Sequence, residues 1–535
     1  MSSSADGDDC DVVVVGAGFG GLYAIHRLRQ IGLSVVGFEA APSVGGVWWH
    51  NRYPGARVDV DSLDYCYYFS PKLFADWQWT ERYASQDELL RYLNHVADDF
   101  GIRRQIRFGS RVTSAQWLPH RQRYHVTTEQ GDSVACRFLV MTTGNLSVRR
   151  SPDFPGLNDF TGEWVQTSHW PEHEVDLRDR RVAVIGTGSS GIQAVPVIAE
   201  EARELYVFQR TPNYSAPARN GPLDVEAWRR IRKDVPGARA ELMRRPVGTR
   251  VRRAERRAGE YSPAERSAAI EARWNFGGQG LNLVFSDQGT NQTANDYVAD
   301  FVRERIRATV KEPRVAELLC PKDHPIGSRR LCLDTNYYET YTRDNVTLID
   351  MRAEPIERIT SSGIQTADRH YDVDLIVFAL GFHAFTGALN SAGIRNARGA
   401  APTDRWQRGP RTYLGLMSAG FPNLFSVTGP GSPSVLANMA LGNEHHVDFI
   451  ADCITYMLEE GYSTVEPTRE AEDQWTEHVA DCASSLIRLR VKNYMVHVND
   501  DDQSRVFIPY SGGFDRYVRH CDEAKERNFA GFQFI

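Results

Sequence analysis

Two glycine-rich hexapeptides are places where the backbone, rather than a side chain, could hold a ligand. The first, Gly16-Ala17-Gly18-Phe19-Gly20-Gly21, follows an apolar β-branched run over residues 11–15 and leads into helical periodicity over 22–30. A second apolar run, 34–38, ends in Glu39. In such a unit Gly16 makes the tight turn and Gly18 lets the backbone approach a pyrophosphate at the helix start. Gly21 lets helix and strand pack closely, and the acid at the end of the second strand accepts ribose hydroxyls. The unit recurs at a strand over 181–185, Gly186-Thr187-Gly188-Ser189-Ser190-Gly191 and a helix-like 192–202. Its second strand, 204–209, ends in Arg210-Thr211 where the first ends in Glu39. An acid there suits a free 2′-hydroxyl, and an arginine suits a 2′-phosphate. The first site is therefore expected to hold FAD or NAD and the second NADPH, with hydride passing from nicotinamide to flavin.

Positioning two such sites takes an α/β chain with two Rossmann-like dinucleotide-binding domains, one for FAD and one for NADP. Apolar strands over 138–143 and 372–380 run into Gly144 and Gly381, which suits a chain crossing between the two. Near the end, Gly429-Pro430-Gly431-Ser432-Pro433-Ser434 precedes a helix-like stretch over 435–439. Backbone N–H groups at that helix start are expected to face a flavin's electron-rich edge. Residues 224–257 carry twelve Lys/Arg against five acids, at spacings that wrap helices. With few aromatics among them they read as a solvated helical insertion rather than a nucleic-acid surface.

The 535 residues carry 62 Lys+Arg and 69 Asp+Glu, a net charge of −7, which argues against nucleic acid as a partner. Hydrophobic residues make up 41%, enough for a large packed core. No apolar run is long enough for a membrane span, and the acidic start is unlike a secretory signal. The eight cysteines contain no CxxC pair, so neither a disulfide framework nor a metal site is expected. A cytoplasmic enzyme follows, as a monomer or weak homo-oligomer.

Phe160-Thr161-Gly162-Glu163-Trp164-Val165-Gln166-Thr167-Ser168-His169-Trp170-Pro171 resembles the FxGxxxHxxxW(P/D) motif of Baeyer–Villiger monooxygenases. The resemblance extends to Gly45-Gly46-Val47-Trp48, Tyr53-Pro54-Gly55-Ala56-Arg57, residues 322–330, Tyr337-Tyr338-Glu339 and residues 429–434. Within the family the chain is most similar to the phenylacetone and steroid monooxygenase branch. The resemblance implies an FAD domain split over 1–145 and 383–535, and an NADP domain split over 146–220 and 326–382. The helical insertion, 221–325, lies in the NADP domain. It implies that NADPH reduces FAD, that oxygen adds at flavin C4a, and that the peroxyflavin attacks a ketone to give an ester or lactone. Arg330 matches the catalytic arginine, Asp59 the carboxylate that positions it, and Arg329 the basic neighbour gripping NADP with Arg210 and Thr211. Gly46 and Trp48 fall in the flavin-binding region, and Tyr494 fills the slot of an NADP-contacting tryptophan. Ser434, Val435 and Leu436 are expected at the substrate.

Three positions depart from the pattern. Gln166 replaces the motif histidine and cannot titrate, and His169 does not fill its slot. The loop over 493–504, with Asp500-Asp501-Asp502, lacks the family's Trp- and Gly-containing sequence, and those aspartates would repel NADP unless they face solvent. Leu380 stands where the family commonly has Thr. Two expectations compete with the ketone reading: a flavin-dependent S- or N-oxygenase that keeps the peroxyflavin, and an uncoupled NADPH oxidase, which Gln166 and the acidic loop motivate.

Overall fold

In the computed structural model, which describes residues 9–499 and 501–535, a mixed sheet and a parallel sheet carry the two glycine motifs. The first has eight strands. Its central strand, Cys10–Val15, pairs in parallel with Val35–Phe38 on one side and with Ser133–Met141 on the other. These strands are near-continuous Val, Ile, Leu and Phe, as expected where both faces of a sheet are covered. Beyond them Val112–Leu118, Arg123–Thr128 and Ser133–Met141 form an antiparallel meander. Ile106–Arg107, paired with Val35–Phe38, and two strands from much later in the chain, Ile394–Arg395 and Leu424–Ser426, complete this sheet. The register sets Val15 opposite Phe38, so Gly16 and Glu39 leave the sheet at the same edge.

The second sheet has five parallel strands in the order Val346–Asp350, Glu204–Gln209, Arg181–Ile185, Leu375–Phe378, Glu163–Gln166. Between its early and late strands the chain is almost wholly helical, from Val225–Lys233 to Pro313–Leu319. The two passages between the sheets lie side by side. Arg149 and Phe382 form an antiparallel bridge, and Arg150 N donates to Gly381 O at 3.1 Å. Gly144 and Gly381 both take left-handed φ (65° and 76°), the turn expected where each apolar strand ends.

The expectation for 435–439 changes. One 3₁₀ turn, Ser434–Leu436, is followed by a break, and the long helix begins only at Met439. Asn438 breaks the pattern because its Oδ1 accepts from Ala440 N at 3.1 Å and Leu441 N at 3.2 Å. The N–H groups capped by Asn438 are those of Ala440 and Leu441, one turn beyond the expected start. Among the described residues no helix is long and apolar enough to cross a membrane, and all eight cysteines are unpaired.

Candidate active site

The first glycine motif forms a cradle that side chains would fill. Gly16 has φ +106°, and a Cβ there would meet Thr142 O at 3.0 Å; a Cβ on Gly21 would sit 1.9 Å from Gly16 O. Gly18 and Gly46 lie back to back, with a Cβ on Gly46 3.0 Å from Gly18 Cα. Gly18 caps the Phe19–Gln30 helix without a side-chain hydrogen bond, so its first N–H groups stay available to an anion. Glu39 is buried, and its oxygens accept from Ala17 N at 2.7 Å and Ala41 N at 2.8 Å. Burial pushes its carboxyl up, and those two N–H groups oppose the shift. Each oxygen keeps a lone pair for a ribose hydroxyl. Gly16, Gly18, Glu39, Gly46, Trp48 and Val435 line a cavity of about 280 Å³. Their shape and donor set fit FAD.

The second motif repeats the geometry. A Cβ on Gly186 would be 2.5 Å from Ala379 O and one on Gly191 2.2 Å from Gly186 O, whereas Gly188 faces open space. Gly188 likewise leaves the Ser189–Glu201 helix without a side-chain cap. Ser189 Oγ lies 3.3 Å from Cys332 Sγ, which ties the helix start to the residues after Arg330. Arg210 is exposed at the end of its strand. Arg329 comes from a distant loop, and its pKa is lowered by burial and then by the charges of Arg210 and Arg352, against Asp323. Arg352 donates to Thr211 Oγ1 at 3.3 Å and to Asp323 Oδ2 at 2.5 Å. Three guanidinium groups against one carboxylate leave surplus positive charge, and that donor set fits the 2′-phosphate of NADPH. Arg352 is absent from the expectations above. Its signal is only that Val346–Asp350 pairs with Glu204–Gln209, with Asp350 opposite Gln209.

Between the two cradles Arg330 and Asp59 form a two-pronged pair. Arg330 Nε and Nη2 donate to Asp59 Oδ2 and Oδ1, both at 2.8 Å, and Nη1 donates to Val435 O at 3.2 Å. Burial alone would lower the Arg330 pKa, but Asp59's charge and hydrogen bonds more than reverse this, so the guanidinium stays charged. Val435, Leu436 and Tyr494 join one apolar cluster with Phe385, Met495 and Phe507. Tyr494 stacks on Phe385 with centroids 6.4 Å apart. Burial raises its pKa and the Arg330 charge opposes the rise. Ser434 is set apart from this cluster: it is buried with φ +47°, and its Oγ accepts from Asn145 Nδ2.

The departures take definite places. Gln166 is buried, with its Nε2 donating to Arg150 O at 3.0 Å, so it ties the second sheet to the crossing segment. His169 points elsewhere, its Nδ1 3.2 Å from Nδ1 of His50. Asp501 and Asp502 are exposed at the tip of the hairpin formed by Val496–Val498 and Arg505–Phe507. Asp502 Oδ1 accepts from Ser504 N at 2.9 Å; Asp500 lies outside the described residues. Leu380 is partly buried against an apolar cluster of the second sheet.

Residues 9–216 match the flavin-binding monooxygenase-like family. The 2-oxo-Δ3-4,5,5-trimethylcyclopentenylacetyl-CoA monooxygenase of Pseudomonas putida is 40% identical over 544 aligned positions, covering 100% of both chains. A Baeyer–Villiger monooxygenase of Pseudooceanicola batsensis is 38% identical, over 98% of this chain and 96% of its own. This chain belongs to the Baeyer–Villiger monooxygenase family. The solved structure of oxidised steroid monooxygenase bound to NADP has a TM-score of 0.94 at 48% identity, covering 98% of this chain and 99% of that one. As a Baeyer–Villiger monooxygenase, the chain is an FAD- and NADPH-dependent enzyme, and its two cradles match those two cofactors.

Proposed function

We propose that this Baeyer–Villiger monooxygenase oxygenates a cyclic ketone to a lactone in front of Arg330, and that the substrate rests on Val435, Leu436 and Tyr494. Bound FAD, once reduced by NADPH, supplies the activation of molecular oxygen. Arg330 supplies a fixed cation for the negative charge that develops on the carbonyl oxygen. Asp59 grips two edges of the guanidinium and Val435 O takes a third hydrogen, so little reorganisation is needed as that charge grows. The apolar wall around Val435 and Phe385 keeps water from competing for it. The Arg330–Asp59 pair carries this reading.

Gly16, Gly18, Gly21, Glu39, Gly46 and Trp48 are assigned to FAD. Gly186, Gly188, Ser189, Gly191, Arg210, Thr211 and Arg329 are assigned to NADPH. The FAD part is read as 1–145 with 383–535. The NADP part is read as 146–220 with 326–382, around a helical insertion at 221–325. Unpaired cysteines support a reducing, cytoplasmic setting. A monomer or weak homo-oligomer is the expected state.

The test is a panel of cyclic and linear ketones with product mass and NADPH consumption measured together. One ester or lactone per NADPH is expected from the wild type. Arg330→Ala is expected to keep oxidising NADPH while losing product by at least about a hundredfold. Sulfoxide formation that survives Arg330→Ala, with no ketone product from the wild type, would overturn the reading.

A further inference from the structure

Several enclosed arginines are paired with acids. Arg239 meets Glu444 at 2.7 Å, Arg250 meets Asp64 at 3.1 Å and Arg330 meets Asp59 at 2.8 Å. Arg488 has no such partner among the described residues. It is partly buried, its guanidinium lies 5.8 Å over the Phe507 ring, and a Cβ built on Gly327 would be 3.9 Å from its Nη2. No carboxylate faces it among the described residues. Arg490, Lys492 and Arg505 on the same segment also lack an acidic partner there, and Arg505 donates only to Leu489 O at 3.2 Å. Asp481 before this segment and Asp501 and Asp502 at the hairpin tip are all exposed.

Arg488 borders the reacting centre. Gly327 begins the short loop that ends in Arg330. Tyr494 lies within the electrostatic reach of both the Arg330 and the Arg488 guanidinium groups. Leu486 and Leu489, which flank Arg488, belong to the apolar cluster that contains Val435, Leu436 and Tyr494. Asn282 Oδ1, buried and without a hydrogen-bond partner, borders the same Gly327 at 3.0 Å from that built Cβ. A neutral amide cannot balance a guanidinium charge. Removing a cation from water without an anion is costly, and burial accordingly pushes the Arg488 pKa down. An anionic ligand reverses that cost through charge-assisted hydrogen bonds.

We propose that the ketone this enzyme oxygenates carries an anionic group, a carboxylate or the phosphates of a coenzyme A thioester, and that Arg488 receives it while Arg330 faces the carbonyl. The proposal rests on the ketone-oxygenating reading above. It makes Arg488 the residue that selects charged ketones over neutral ones of the same ring.

Three probes share one ring: (2-oxocyclopentyl)acetic acid, its methyl ester and its coenzyme A thioester. The wild-type holoenzyme is expected to favour the acid or the thioester over the ester by roughly tenfold or more in kcat/KM. Arg488→Gln is expected to bring that ratio to about one through KM, and Arg488→Lys to restore part of it. A larger preference for the thioester assigns the site to phosphate, and a larger preference for the free acid assigns it to carboxylate. Cyclopentylacetate, which has no ketone, reads the anion site without turnover. Calorimetry is expected to detect it with FAD-loaded wild type and to lose it with Arg488→Gln, even if no probe is oxygenated. Equal turnover of acid, thioester and ester by the wild type would overturn the proposal. A charge preference unchanged in Arg488→Gln, or cyclopentylacetate binding both proteins alike, would overturn it too.

Discussion

At the scale of single residues, the site works by holding charge in place. Asp59 contributes no proton to this arrangement; its two oxygens fix the guanidinium plane of Arg330. Asp59→Ala leaves that cation enclosed, with Val435 O as its one remaining hydrogen-bond partner among the described residues, free to turn away. The expected outcome is a fall of at least about tenfold in product formed per NADPH, with NADPH oxidation continuing as peroxide release. Product and peroxide titrated in the same reaction check it. Arg352 acts at the other cofactor. It lies beside Thr211 and adds to the surplus charge around Arg329. Arg352→Ala is expected to raise the KM for NADPH by about five- to tenfold, and NADH, which lacks the 2′-phosphate, discriminates the effect. Steady-state kinetics with both cofactors would show the NADPH-over-NADH preference shrinking, and an unchanged ratio would remove Arg352 from the site.

At the scale of elements, the Met439–Glu460 helix buries a histidine that has no acid to balance a charge. His446 is 1% exposed, its Nδ1 accepts from Thr428 N at 2.8 Å and its Nε2 has no partner. Burial lowers its pKa from 6.5 to about 3. The folded value lies below the unfolded one, so its contribution to stability is present above pH 6.5. That contribution is lost progressively as pH falls toward 3. His446→Gln, which cannot titrate, is therefore expected to lose less melting temperature than the wild type between pH 7 and pH 5. Parallel acid shifts in the two proteins would count against a neutral buried His446.

At the scale of the whole molecule, the two glycine cradles must stay pressed together for hydride to pass between them. One contact that does this is compact. Tyr53 OH donates to Gln193 Oε1 at 2.8 Å, Gln193 Nε2 donates to Arg57 O at 3.1 Å, and Gly55 packs on the Gln193 backbone. A Cβ on Gly55, at φ +78°, would lie 2.4 Å from Gln193 O. Gly55→Ala is thus expected to cost about 1–3 kcal/mol and to slow anaerobic flavin reduction by NADPH. FAD content is expected to change less, because the FAD cradle itself is untouched. A reduction rate equal to wild type would mean this contact does not set the distance between the cradles.

The two nucleotide units were legible in the sequence because each is local. A strand, a glycine turn and a helix sit within about thirty residues, and the steric demands on Gly16, Gly21, Gly186 and Gly191 act between near neighbours. Residue type at the end of the second strand, Glu39 or Arg210, is local information of the same kind. Patterning failed at 435–439, where apolar spacing suggests a helix but Asn438 caps a later one. What the tertiary structure decided depends on charges that meet from far apart. Asp59 and Arg330 are 271 positions apart and Thr211 and Arg352 are 141 apart. Residue type and spacing cannot distinguish Arg488, which has no counter-ion among the described residues, from paired Arg239 or Arg250. Which cation faces a carboxylate, and which is left for a ligand, follows from the register of two sheets and the packing between them.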